Sequence, residues 1–125
     1  MDTSGTHVLV EYWECLSISE MSDVDYIRNA LLDGTRAANA TPISNHFHKF
    51  SPSGVSGVVV IEESHFSIHT WPEHGYAAVD FYTCGECIPE KAISVVGDWL
   101  KSKDIKTIVV KRGNRNGMVL TDETQ

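Results

Sequence analysis

The sequence predicts an α+β fold, a mainly antiparallel β-sheet with two helices on one face. Two segments carry apolar residues at helical spacing, and the remaining apolar segments are β-branched runs separated by polar turns. The resulting order is β-α-β-β-β-β-α-β, and strands joined by short turns pair antiparallel. A sheet with both helices on one face leaves its other face needing cover. A chain of 125 residues has no third layer to supply, so a second copy is the expected cover and the fold is expected to be dimeric.

Residues 7–14, HVLVEYWE, suit a pleated surface and read as the first strand. Ser22 reads as an N-cap with acids following in the first turn. Val24, Ile27, Leu31, Thr35 and Ala38 recur at helical spacing, which predicts a helix over residues 22–39; Gly34 weakens it without ending it. Residues 43–50 form a second strand, closed by Ser51, Pro52, Ser53 and Gly54. Residues 55–71 are apolar and β-branched but too long for one strand of the usual ~3–10 residues. A break is expected at the polar Glu62, Glu63 and Ser64. Residues 76–83 give the next strand, and Ile88, Ala92, Val95, Val96, Trp99 and Leu100 then share a helical face behind Pro89. Residues 105–111 form the last strand, and the polar tail from Asn114 is expected to be mobile.

Composition narrows the functional classes. Apolar residues make up 42% of the chain, which predicts a folded globular protein. Residues 1–125 show no repeat, linker or low-complexity stretch and are expected to form one domain. No apolar run approaches the ~20 residues needed to span a bilayer, and the N-terminus lacks the pattern of a signal peptide. No membrane association and a cytoplasmic location are expected, in keeping with three cysteines (Cys15, Cys84, Cys87) that cannot all pair. Ten Lys+Arg against 17 Asp+Glu give a net charge of −7, which argues against nucleic acid as a partner. A negative field favours a cationic substrate, although acidity also serves plain solubility.

The chemistry lies in residues 50–85, FSPSGVSGVVVIEESHFSIHTWPEHGYAAVDFYTCG. The elements FSPxGVSGVVVI, ESH, IHTWPE and GYAAVDxxTCG, with an N-terminal GxHVLxExxxC strand, resemble the prokaryotic S-adenosylmethionine decarboxylase family, the pyruvoyl enzymes of polyamine synthesis. The resemblance runs colinearly over residues 5–100 and implies the α/β sandwich of that family. Alone, Ser64 would be an ordinary strand serine; the whole block makes it the candidate for self-processing.

Decarboxylating an amino acid leaves a carbanion that needs an electron sink, and no standard side chain carries an electrophilic carbonyl. A ketoacyl group at a new N-terminus supplies one, by forming a Schiff base with the substrate amine. To make it, Ser64 Oγ attacks the carbonyl of Glu63, exchanging amide for ester. Elimination across the Ser64 Cα–Cβ bond and hydrolysis of the resulting imine then leave pyruvoyl. The proenzyme, a zymogen by this autocatalytic cleavage, is expected to split into a β chain of residues 1–63 and an α chain of residues 64–125.

The resemblance implies the remaining roles. His69 is the base for the processing elimination, and Ser56 assists cleavage. Cys84 is the general acid that protonates the product carbon, since a thiol can donate and recover a proton near neutrality. Phe50 stacks on the adenine of S-adenosylmethionine and Glu73 accepts from its ribose. Trp13, or less favourably Tyr12, covers the adenine from the other side, and Glu14 faces the substrate cation. His74 departs from the family tyrosine beside Glu73. Counting by two from Ser64 reaches Phe66 and Ile68, so His69 falls on the opposite face. The resemblance accounts for this with a homodimer whose shared sites take Ser64 and Cys84 from one protomer and Phe50, Ser56, His69 and Glu73 from its partner. The implied lyase product is decarboxylated S-adenosylmethionine, the aminopropyl donor for spermidine, with carbon dioxide released. Alternatives are the same chemistry on L-arginine or L-ornithine, and a non-catalytic or metal-binding homologue. For metal, Cys84 and Cys87 form a CxxC, and His46/His48 and His65/His69 each share a strand face, but a second ligand pair at zinc spacing is missing; no metal is expected.

Overall fold

The computed structural model describes residues 3–62 and 64–124. In chain order the elements are β1 (Gly5–Cys15), α1 (Val24–Ala37), β2 (Pro42–Lys49), β3 (Val55–Ile61), β4 (Ser64–Trp71), β5 (Tyr76–Thr83), α2 (Pro89–Leu100), β6 (Ser102–Arg112) and β7 (Val119–Thr124). The strands form one sheet in the order β2-β3-β4-β5-β1-β6-β7, with every neighbouring pair antiparallel. The α+β class, the two helices and the break near residue 62 stand as the sequence predicts.

Two local expectations are corrected. Asp23, not Ser22, caps α1: its Oδ1 accepts from the amides of Asp25 and Tyr26 at 3.0 and 3.2 Å. A carboxylate accepts these bonds more strongly than a hydroxyl. Ser22 ends a short 3-10 turn (Ser19–Ser22), and its Oγ accepts from Gly54 N at 3.0 Å, tying the helix start to the β2–β3 turn. The tail expected to be mobile instead supplies β7, which pairs along β6 from Lys111↔Val119 to Lys106↔Thr124. An unpaired β6 edge would leave a row of backbone groups without partners, and β7 satisfies them.

Strand alternation sorts the side chains. Val8, Val10 and Tyr12 of β1, Phe66 and Ile68 of β4, and Ala77, Val79 and Phe81 of β5 are buried beneath the helices. From α1 come Ile27, Leu31 and Thr35, and from α2 Ala92, Val96 and Leu100. Phe66 and Phe81 are direct cross-strand partners with ring centroids 4.9 Å apart at the centre of this core. Removing each such side chain from water contributes roughly 1.5–3 kcal/mol. Gly34 lets the helices meet, since a Cβ there would lie 3.2 Å from Ala92 O. The opposite sheet face carries Leu9, Val60 and Ile108, each 40% or more exposed. Among the described residues, no helix is long and apolar enough to cross a membrane.

Gly57 shows why the GVSG stretch needs its second glycine. On β2, Phe47 alone is buried, and it pairs directly with Gly57. A Cβ on Gly57 would lie 1.9 Å from Phe47 Cδ2, so the ring occupies the space a side chain would take. Gly57→Ala is therefore expected to expel the ring and cost about 1–3 kcal/mol. A thermal melt of the variant checks this, and an unchanged midpoint would refute the packing role.

Candidate active site

Two groups of the sequence-designated residues assemble at opposite ends of β4. Ser64 opens that strand, paired with Thr83 at the end of β5, and this register carries Cys84 to it. Ser64 Oγ and Cys84 Sγ lie 3.8 Å apart, with the thiol exposed. On the other side of the break, Ile61 pairs with Ser64, and Glu62 N donates to Thr41 O at 2.8 Å. Glu63, assigned the scissile carbonyl, lies outside the described residues.

The second group sits at the far end. Ser56 and His69 are direct partners across β3 and β4, and Ser56 Oγ hydrogen-bonds His69 Nδ1 at 2.7 Å. Phe50 N donates to Gly54 O at 2.9 Å, which closes the turn that presents the half-exposed Phe50 ring. A Cβ on Gly54 would lie 3.0 Å from Thr70 O and 3.8 Å from Pro72 Cδ, so the turn after Phe50 packs against the end of β4 that leads to Glu73. His74 is exposed beside Glu73. Ser64 and His69 are five residues apart along extended β4, about 16 Å at ~3.3 Å per residue. Phe66 and Ile68 are fully buried whereas His69 is exposed, so the alternation along β4 puts His69 on the face opposite that buried pair.

Tyr12 does not join either group, whereas Trp13 and Glu14 lie at the end of the sheet that carries His69 and Glu73. Tyr12 is wholly buried under α2, where its hydroxyl donates to Ile93 O at 2.6 Å. Trp13 is seven residues along β1 from Thr6, the partner of Thr83, which puts it roughly 23 Å from the Ser64 end. Four strand spacings of about 4.8 Å separate β1 from Phe50's strand β2. β1 runs the length of the sheet, so its aromatic end lies away from Ser64 and beside the turn that carries Glu73, where Cys15 N donates to Gly75 O at 3.0 Å. There Trp13 stacks on Tyr76 at 4.2 Å, and Glu11 accepts from both Trp13 Nε1 and the Tyr76 hydroxyl. Glu14 beside it is exposed with a left-handed backbone, φ 52°.

A cluster that sequence reasoning missed occupies the open sheet face. Asp80 Oδ2 accepts from His7 Nε2 at 2.6 Å and His65 Nε2 at 3.0 Å, and Ser67 donates to Oδ1. Burial alone would raise the Asp80 carboxyl, but the hydrogen bonds from Ser67, His7 and His65 overcome it and hold the carboxyl below its usual range. Arg112 approaches His7 Nδ1 at 3.1 Å. Arginine only donates, so Nδ1 is the acceptor and the His7 proton sits on Nε2, facing Asp80. These three side chains have metal-ligand spacing, yet both Nε2 atoms are committed as donors to the carboxylate, which disfavours a metal there. The findable signal was the short β4–β5 turn: pairing Trp71 with Tyr76 places Ser67 opposite Asp80 and His65 opposite Tyr82.

Comparison with known proteins gives the family. The family model described as S-adenosylmethionine decarboxylase matches residues 6–113. An S-adenosylmethionine decarboxylase proenzyme of Geobacillus kaustophilus is 44% identical over 115 residues, covering 92% of each chain. Another, from Bacillus cereus, is 42% identical over 126 residues, covering all of this chain and 96% of its own. The crystal structure of the adenosylmethionine decarboxylase from Aquifex aeolicus matches with a TM-score of 0.81 at 38% identity, covering 100% of both chains. A Trypanosoma brucei AdoMetDC monomer shares the fold at a TM-score of 0.61 and 17% identity, over 86% of this chain and 45% of its own.

The Asp80 cluster makes the fold sensitive to acid. A carboxyl held below its unfolded value stabilises the fold fully above that value, near pH 3.9, and loses the contribution as pH falls toward its folded one. Asp80→Asn is expected to lower the melting temperature at pH 7, with the gap from wild type closing below about pH 4. A gap independent of pH would contradict this.

Proposed function

Because the chain belongs to the S-adenosylmethionine decarboxylase family, we propose that it is a proenzyme that cleaves itself between Glu63 and Ser64 and then decarboxylates S-adenosylmethionine. The observation that carries this reading is the Ser64–Cys84 pair, 3.8 Å apart beside the break in the ladder. A serine at a hairpin tip suits conversion to an N-terminal ketoacyl group, because cutting there severs no strand pairing.

In processing, Ser64 Oγ bonds to the Glu63 carbonyl carbon while the C–N bond breaks, and the hydroxyl proton passes to the nitrogen. His69 then removes the Ser64 Cα proton; its electron pair forms the Cα–Cβ double bond as the ester C–O bond breaks, releasing residues 1–63 with a terminal carboxylate. Rearrangement to the imine and addition of water expel ammonia. The resulting pyruvoyl group supplies the sink for the electron pair left by departing carbon dioxide. Cys84 gives its thiol proton to the carbon that lost the carboxylate. Phe50 offers a ring face to the adenine, and Glu73 offers oxygens to the ribose hydroxyls. Trp13 and Glu14 lie beside the turn that carries Glu73, where Trp13 offers a second ring face to the adenine and Glu14 a carboxylate to the substrate cation.

The ~16 Å between Ser64 and His69 exceeds any direct proton transfer, so the base for each Ser64 comes from a second copy. The open face with exposed Leu9, Val60 and Ile108 supports a homodimer with shared sites. The product, decarboxylated S-adenosylmethionine, is an aminopropyl donor suited to spermidine synthesis.

Co-expression tests the shared site. His69→Ala alone is expected to stay full length, and its chain is expected to be cleaved when co-expressed with Ser64→Ala, which supplies an intact His69. Intact mass reads the fragments, and an uncleaved His69→Ala chain in the mixture would sink the shared site. Cys84→Ala is expected to be cleaved yet lose about 100-fold or more in kcat. Carbon dioxide release is expected from S-adenosylmethionine and not from arginine or ornithine; the reverse result would replace the substrate.

A further inference from the structure

Tyr82 is not part of the processing or substrate groups, yet it stands against the thiol. Asp80, Tyr82 and Cys84 follow one another at period two along β5 and its exit, and the Tyr82 hydroxyl and the Cys84 thiol both crowd the same point beside Gly5. Gly5 makes the room: a Cβ there would lie 2.8 Å from Tyr82 Cε1, 3.1 Å from its hydroxyl and 3.2 Å from Cys84 Sγ. The ring is held from its other side by the Arg112 guanidinium, 4.5 Å from its centroid. Arg112 is in turn held by His7, which is anchored on Asp80. The charged and titratable groups around the pair are Arg112 and Lys111 from β6, His7 from β1 and His65 from β4.

We propose that Tyr82 is the positioning residue of Cys84, its hydroxyl stabilising the thiolate that remains once the proton has been given to the substrate carbon. The physical reason is differential. A thiolate accepts a hydrogen bond far more strongly than a thiol, so the hydroxyl favours the state after transfer over the state before it. The neighbouring Cys84 side chain is the main cause of the raised pKa of Tyr82; burial is a lesser influence, and Arg112 opposes the shift. Tyr82 therefore stays protonated and remains a donor near neutral pH. The rigid stack against Arg112 aims the hydroxyl without a rotamer search. This inference rests on the reading of Cys84 as the general acid.

Tyr82→Phe removes the hydroxyl and keeps the ring on Arg112. In the processed enzyme, alkylation of Cys84 by iodoacetamide is followed against pH, with the site identified by peptide mass. Cys15 serves as the unreactive reference, being buried with its thiol pushed up to about 11. The expected result is an alkylation midpoint raised by about 0.5–1 pH unit, the worth of one hydrogen bond, with kcat lowered several-fold, KM unchanged and cleavage complete. Coincident alkylation profiles, or a shifted profile with unchanged kcat, would overturn the proposal. Cys84→Ala separates the two levels: if it keeps wild-type kcat, the general-acid reading falls and this inference with it. If it loses kcat while Tyr82→Phe behaves as wild type, the role of Tyr82 alone falls.

Discussion

The pleat of β4 is the constraint on which the rest of the structure depends. Its period of two sends Phe66, Ile68 and Thr70 beneath the helices and His65, Ser67 and His69 to the open face. The first set completes the core; the second carries polar and titratable side chains. Because the strand is extended, its two ends are also too far apart to act on each other. One geometric fact thus accounts for both a well-packed interior and the wide separation of Ser64 from His69.

The open face is polar in a particular way. Asp80 gathers donors from His7, His65 and Ser67, and Arg112 bridges from His7 to the Tyr82 ring. Among the described residues, no buried side-chain nitrogen or oxygen lacks a partner. Such a network can be covered by another surface without stranding a donor or acceptor, which is the main cost of burying polar groups. The exposed Leu9, Val60 and Ile108 around it supply the apolar area that favours covering.

Legibility in the sequence followed the range of the interactions involved. The break beside Ser64 was readable because the residues there change from apolar to polar, and the core face of α1 was readable from its spacing. The cap was misplaced by one residue because the β2–β3 turn recruits Ser22, a contact from 32 residues away. β7 was missed because its residues look polar and its pairing depends on the free edge of β6. Around the candidate site, motifs singled out residues that meet in two pairs, Ser64 with Cys84 and Ser56 with His69, but the Asp80 cluster joins residues up to 73 apart and needed the strand register. Trp13 was singled out for its ring chemistry; the β1–β5 register is what sets that ring against Tyr76, at the His69 end of the sheet.

The strand order has a consequence for the life history of the molecule. A cut before Ser64 would leave β1, β2 and β3 on one fragment and β4 to β7 on the other, yet β1 lies between β5 and β6 and β3 lies against β4. The fragments are therefore interdigitated, sharing three ladders that no single hinge can open. Before cleavage, loss of structure is unimolecular and a chain can find its way back; afterwards, reassembly requires two particular pieces to meet and one to thread a strand into the middle of the other's sheet. The severed bond would turn a reversible fold into a durable object, assembled once and held by its kinetics.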